Sequence, residues 1–213
     1  MTRAAEKRLE ALAAEIRACR ACSDSPKPLP HAPRPVLRVS TSARLLLASQ
    51  APGNLVNQTG IPFNDPSGDR LRAWMGVDRD TFYDVSRIAI APMGFCFPGN
   101  DAAGGDLPPR SECRKLWHDR LFAAMPRIET VLAIGRYAQD YHFARLGHDL
   151  AKGASVSATV ARWREFQGAS PLVFPLPHPS WRNTGWLKKN PWFEAEVLPA
   201  LRAEVARLTQ SGD

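Results

Sequence analysis

At 213 residues and 44% hydrophobic content the chain has the ordinary make-up of a soluble globular protein with a substantial core, and a single domain spanning residues 1–213 is expected. Its 28 Lys and Arg against 21 Asp and Glu leave a formal charge of +7, which favours a polyanionic partner, nucleic acid ahead of a membrane surface. No apolar run is long enough to span a bilayer, and the charged stretch MTRAAEKRLEALAAEIRA reads as an amphipathic helix rather than a signal peptide, so a cytoplasmic protein with no membrane partner is expected.

Residues 4–18 place Leu9, Leu12, Ala13 and Ile16 at helical spacing and run into Cys19-Arg20-Ala21-Cys22. The proline-rich link from Pro26 to Pro35 has no apolar period and reads as coil, so residues 1–43 are expected to pack on the domain as a helix and a cysteine-bearing segment. Leu45-Leu46-Leu47-Ala48 has the composition of a strand buried on both faces. It ends in the turn Ser49-Gln50-Ala51-Pro52-Gly53. The loop Ile61-Pro62-Phe63-Asn64-Asp65-Pro66 follows, and Ser67-Gly68-Asp69 opens an amphipathic helix with Leu71 and Trp74 on one face. A short helical turn is expected over 80–84.

Arg87-Ile88-Ala89-Ile90-Ala91 is a second buried strand, emptying into Pro92-Met93-Gly94-Phe95-Cys96-Phe97-Pro98-Gly99-Asn100. Pro109 to Met125 reads as a helix with Cys113 in its first turns and Leu116, Trp117 and Leu121 facing inward. Thr130-Val131-Leu132-Ala133-Ile134 is a third strand, closed by Gly135 and followed by a helix containing Tyr137, Tyr141 and Leu146. Another helix is expected over 155–166. Leu172-Val173-Phe174-Pro175-Leu176 is a fourth strand, whose proline argues that its end is at an edge or irregular. It delivers Pro177-His178-Pro179-Ser180, and a last helix from Trp192 to Leu208 carries Pro199 as a candidate kink. Four apolar strands alternating with helices predict a three-layer α/β/α fold around a four-stranded parallel sheet. In such sheets the loops at the strands' carboxyl ends meet along one edge, where the site is expected.

Four cysteines remain, Cys19, Cys22, Cys96 and Cys113. Structural disulfides are not expected in a cytosolic chain. Cys19 and Cys22 stand at the C-x2-C spacing that lets two thiolates reach one metal centre, and Cys96 and Cys113 form a wider pair. Four unrelated buried thiols are the plainer reading. With four thiolates, zinc and a [4Fe–4S] cluster are both chemically open, and spacing does not choose between them.

Taken together, these loops resemble those of the uracil-DNA glycosylase superfamily, in particular its iron–sulfur branches, families 4 and 5, over nearly the whole chain from Cys19 to the final helix. The resemblance rests on the Gln50-Ala51-Pro52-Gly53 turn, on Phe63 in an Arg-Pro-Phe-like segment, on Asp65 shortly before Ser67-Gly68-Asp69, and on His178-Pro179-Ser180 continuing into Asn183-Thr184. The order of the four cysteines matches as well. It implies a [4Fe–4S] cluster in preference to zinc, held by Cys19, Cys22, Cys96 and Cys113. It further implies a monomer acting on DNA that contains uracil or another deaminated base, hydrolysing the N-glycosidic bond by base flipping and leaving an abasic site. A non-catalytic protein of the same fold that binds damaged or abasic DNA is the alternative. The chain departs from uracil-specific members in two places: Pro92 stands where an asparagine usually reads uracil, and Gln50 and Ala51 replace water-activating carboxylates.

Breaking a deoxyribose–base bond builds positive charge on the sugar and negative charge on the base, so an anion is needed beneath one and donors at the other. On this reading Asp65 orients water and stabilises the sugar cation, and His178 donates to the base as a neutral imidazole. The plainer readings are a helix-capping aspartate and a structural histidine. Phe63 stacks on the extruded base, a contact worth about 1–3 kcal/mol. Gln50, Ala51, Gly53, Asn54 and Ser180 complete the substrate-binding set. Trp181 or Arg182 fills the vacated gap, with Asn183, Lys188 and Lys189 meeting DNA. No lysine is placed to form a Schiff base, so base removal without strand cleavage is expected.

Overall fold

The computed structural model describes residues 2–150 and 153–210. Helix α1 (Arg3–Arg17) buries Leu9, Leu12, Ala13 and Ile16, the stripe its 3.6-residue period dictates. Strand β1 (Leu45–Ala48) is followed by α2 (Asn54–Thr59), α3 (Pro66–Met75) and α4 (Arg79–Tyr83) before β2 (Ile88–Ile90). A continuous helical stretch then comprises α5 (Ser111–Cys113), a π turn (Arg114–His118) and α6 (Asp119–Ala123). Strand β3 (Thr130–Ile134), α7 (Arg136–Arg145) and α8 (Val156–Ala161) lead through a 3-10 turn (Trp163–Phe166) into β4 (Leu172–Leu176). A 3-10 turn (Trp181–Asn183), α9 (Thr184–Lys189), a second π turn (Phe193–Val197) and α10 (Leu198–Thr209) complete the order.

The four strands form one parallel sheet in the order β2-β1-β3-β4. Every strand residue is buried, because helices cover both faces and leave no polar side. Parallel crossovers are right-handed, which puts α3 on one face and α6, α7 and α8 on the other. The packing agrees: α10 lies against α3 and β1, while α1 reaches α6 and α7 touches β3 and β4. This is the expected α/β/α arrangement. The edge strand β4 accommodates Pro175, which stands opposite Ala133. The other edge is covered by an antiparallel bridge in which Arg38 N donates to Ile90 O at 2.9 Å and Ile90 N to Arg38 O at 2.6 Å, blunting an otherwise free row of backbone groups. Among the described residues no helix is long and apolar enough to cross a membrane.

Two stretches correct the sequence expectation. Leu116, expected to face inward, is 46% exposed, and His118 is fully buried in its place, while Leu121 is inside as expected. The π turn adds a residue to the helical repeat and so rotates the following side chains. In the last helical region, the irregularity expected at Pro199 takes the form of the π turn Phe193–Val197 just upstream. Pro199 has no N–H to give the preceding turn, and the wider turn takes up that mismatch. The stretch 155–166 also breaks, into α8 and a 3-10 turn that buries Trp163 and Phe166.

A buried aromatic knot surrounds His118, which stacks on Phe95 with ring centroids 5.0 Å apart and touches Phe122 and Tyr141. Beside it His142 is fully buried, and neither ring nitrogen has a hydrogen-bond partner among the described residues. Burial, helped by the Arg145 guanidinium and by His118, holds its pKa well below the ordinary imidazole value of about 6.5. The folded protein therefore keeps it neutral at a pH where the unfolded chain binds a proton. Its contribution to stability is complete above about pH 6.5 and is lost as the pH falls below that value, by up to about 1.4 kcal/mol per pH unit. His142→Leu should remove this component. In denaturant titrations between pH 7 and pH 5 the variant should lose less stability than the wild-type protein, and parallel losses would contradict the assignment.

Candidate active site

The carboxyl ends of β1 and β4 and the loops after β2 and before α3 open into one cavity of about 510 Å³. Its walls include Gln50, Ala51, Gly53, Phe63, Asp65, Pro92, His178, Ser180, Trp181 and Arg182. The three residues given the central roles, Phe63, Asp65 and His178, thus face a common hollow although more than a hundred residues separate the first from the last.

The β1 turn is tied to the β2 loop through its backbone: Met93 N donates to Ser49 O at 2.8 Å and Gly94 N to Gln50 O at 2.9 Å. The Gln50 side chain is already engaged, with Nε2 donating to Leu107 O at 3.2 Å. Pro92 offers the cavity no side-chain hydrogen bond, and its carbonyl oxygen lies 3.1 Å from His118 Nε2.

Phe63 adopts φ 55°, the left-handed region that costs a non-glycine residue about 1–2 kcal/mol. Several contacts hold it there. Arg72 Nη1 donates to Phe63 O at 3.3 Å, Tyr83 Oη to Pro62 O at 2.8 Å, and Arg79 Nη2 to Asn64 Oδ1 at 3.1 Å. The buried Arg72 guanidinium also lies over the Phe82 ring, 5.1 Å from its centroid, and Phe82 meets the Phe63 ring edge-on at 5.9 Å. Gly68 makes the loop sterically feasible. A Cβ there would stand 1.8 Å from Phe63 O, so no other residue fits without moving the loop.

Asp65 is the N-cap of α3, its Oδ1 accepting from Gly68 N at 2.9 Å. The capping reading is therefore correct as local structure, and the helix begins at Pro66 rather than at Ser67. Capping uses one carboxylate oxygen. The other has no protein donor among the described residues, and Asp65 lines the cavity. One side chain can thus both cap the helix and present an anion.

The tautomer of His178 follows from its neighbours. Ser180 N donates to Nδ1 at 3.2 Å, so Nδ1 accepts and the neutral ring carries its proton on Nε2. Burial pushes the pKa below the ordinary imidazole value, with Asp65 and then Asp106 pulling the other way. The ring is neutral at neutral pH and Nε2–H is its available donor. Asn183 Nδ2 donates to His178 O at 2.7 Å, and Arg70 Nη1 donates to Ser180 O at 2.9 Å, clamping the histidine loop to α3.

Other candidates lie further out. Asn54 is exposed at the start of α2 and outside the cavity wall, and Asn183 turns its amide onto the His178 loop. Trp181 is 74% exposed at the mouth, with the Arg182 guanidinium 5.8 Å from its ring centroid and Nη2 donating to Gly104 O at 3.2 Å. Lys188 and Lys189 are exposed in the last turn of α9, beyond the cavity. Sequence reasoning missed Asp106, Arg70 and Gly104. Asp106 and Gly104 belong to a surface loop with no apolar period, and Arg70 reads as an ordinary polar helix residue.

The cysteines lie apart from the cavity. Cys22 and Cys96 share a small buried cluster with Leu29. Burial raises the Cys96 thiol to about 11 and the Cys113 thiol to about 12, and in each case the neighbouring cysteines add to the rise. Phe95 N donates to Cys113 Sγ at 3.4 Å, and the Arg110 guanidinium favours the charged form of the Cys22 thiol against the burial that raises its pKa. Arg110 also donates to Lys27 O at 2.6 Å and Ser25 Oγ at 2.7 Å, tying the N-terminal segment to the start of α5. Among the described residues no three or more His, Cys, Asp or Glu side chains stand as a group able to hold a metal ion. The donor set nonetheless suits a cationic group bound by thiolates, which would offset both the burial and the mutual repulsion.

Residues 38–202, more than half of the chain, match the family described as the uracil DNA glycosylase superfamily.

Proposed function

The chain belongs to the uracil-DNA glycosylase superfamily, and from that premise we propose that it excises uracil or another deaminated base from DNA and leaves an abasic site. Membership supports a glycosylase-type hydrolase acting on DNA. The observation that carries the finer reading is the single cavity that brings an aromatic face, a carboxylate and a neutral imidazole N–H together.

A nucleotide must leave the duplex before it can enter such a cavity. Phe63 offers its ring to the extruded base. Trp181 and Arg182 at the mouth are placed to fill the gap, and the exposed Lys188 and Lys189 to meet phosphates. His178 Nε2–H faces the base and stabilises the charge that gathers on it as the bond weakens. Asp65 orients water beneath the sugar. Water forms the new bond to C1′, the C1′–N bond breaks, and its electron pair leaves with the base. The water gives up a proton to the carboxylate or solvent, and the departing base takes one from solvent. Asp65 reaches the transition state already ordered by its hydrogen bond to Gly68 N, so little reorganisation is needed there. Purified protein incubated with duplexes carrying uracil, hypoxanthine or xanthine should release the free base and leave an unbroken abasic strand. Binding without release would favour the non-catalytic alternative.

Cys19, Cys22, Cys96 and Cys113 would hold a [4Fe–4S] cluster. What supports this is the order of the four cysteines along the chain, with Cys22 and Cys96 sharing one small buried cluster and Cys113 buried beside Phe95. When bound, such a cluster cross-links the segment after α1 to the β2 loop and α5. Anaerobically purified protein should contain iron and inorganic sulfide and absorb visible light. Cys96→Ser should lose both and lower the thermal stability, whereas stoichiometric zinc without iron would contradict the cluster.

A further inference from the structure

The cavity contains a second carboxylate that the steps above do not use. Asp106 lines it in company with Gln50, Gly53 and His178. Its loop is built by its own hydrogen bonds: Asn100 Nδ2 donates to Asp106 Oδ1 at 3.1 Å, and Asn100 and Asp106 form an antiparallel bridge. The second oxygen, Oδ2, has no protein donor among the described residues, and it stands 3.9 Å from the point where a Cβ on Gly53 would lie. It therefore flanks the β1 turn, on ground that a side chain at 53 would otherwise fill. Asp106 is also near enough to His178 to favour the charged form of the ring.

Gln50, Pro92 and Asp106 line the same cavity as His178. Gln50 gives one amide N–H to Leu107 O and keeps a second N–H and its carbonyl oxygen. Pro92 has no polar side-chain atom. A carboxylate only accepts hydrogen bonds. His178 presents a donor to the same cavity. A base held between the two must show an acceptor to His178 and a donor to Asp106.

We propose that Asp106 is a specificity-determining residue that accepts a hydrogen bond from the ring N–H of the extruded base, so that with His178 it selects bases carrying a keto group beside an N–H. This deepens the glycosylase reading and rests on it. Deamination creates that pair of groups. Cytosine and adenine have an acceptor nitrogen at the position where uracil and hypoxanthine have N–H, and a carboxylate repels the former and binds the latter. Thymine and guanine also carry a keto group beside N–H. They are withheld by their pairing in the duplex, since extrusion is least costly for a mispaired base.

The test compares single-turnover release of uracil and of 3-methyluracil, which lacks the ring N–H, from otherwise identical duplexes. The wild-type protein should favour uracil by roughly ten- to hundredfold. Asp106→Ala should reduce that preference to near unity. Comparing the ratio between proteins cancels the cost of opening each duplex. Asp106→Asn keeps the shape of the loop and can turn either an oxygen or an N–H toward the base, so it should gain release of mispaired cytosine by about tenfold. Asp106 is exposed, and both variants should fold. An unchanged ratio in Asp106→Ala, or equal release of both bases by the wild-type protein, would overturn the role of Asp106 and leave the glycosylase reading standing. Failure of the wild-type protein to release any modified base would overturn both.

Discussion

His178→Ala should lower single-turnover base release by roughly 10²–10³-fold while leaving duplex affinity nearly unchanged. The neutral ring offers one N–H, on Nε2, because Nδ1 accepts from Ser180 N, and in the proposed mechanism that donor acts where negative charge develops. A preorganised donor of this kind gains strength as charge builds, so its loss falls on the chemical step rather than on binding. The side chain is half-buried and its backbone is held independently by Asn183, so the fold should survive the change. Single-turnover rates and fluorescence anisotropy on one duplex separate the two quantities. Equal losses in affinity and rate would mean that His178 is a structural histidine.

Asp65→Asn should separate the helix cap that Asp65 forms from the catalytic duty proposed for the same side chain. Asparagine caps a helix about as well as aspartate, so stability should change by less than about 1 kcal/mol, mostly through the lost charge at the helix N-terminus. On the proposed mechanism the substitution removes the anion beneath the sugar, and base release should fall by roughly a hundredfold or more. Asp65→Ala should lose the cap as well, at about 0.5–2 kcal/mol. If Asp65→Asn is fully active and only Asp65→Ala is impaired, then capping is the whole role of Asp65 and the anion lies elsewhere, with Asp106 the next carboxylate on the wall.

The sheet was readable in the sequence because parallel strands buried on both faces appear as unbroken apolar runs; Leu45–Ala48 and Thr130–Ile134 coincide with β1 and β3 to the residue. The missing N–H of Pro175 points to an edge or an irregular end, and β4 lies at the edge. The convergence of Gln50, Phe63, Asp65 and His178 was readable too, since parallel strands send their carboxyl ends to one edge. Single-residue irregularities were not. A π turn leaves no trace in composition, so the pattern over 109–125 places Leu116 inward beside Trp117 and Leu121, whereas Leu116 is exposed and His118 is buried. Asp106 was invisible for a different reason: it owes its place to Asn100 and to a loop folded on itself, which no periodicity announces. Asn183 looked like a DNA contact in an Asn-Thr segment, but its amide is engaged with His178 O.

The most direct test of one hollow gripping a swung-out base is a crystal structure of the Asp65→Asn protein on a duplex containing a single deoxyuridine. The uracil should lie outside the helix with its ring against Phe63, a keto oxygen within hydrogen-bond distance of His178 Nε2, and Trp181 or Arg182 in the vacated gap. A uracil still stacked in the duplex, or DNA bound to a different face of the protein, would contradict the account.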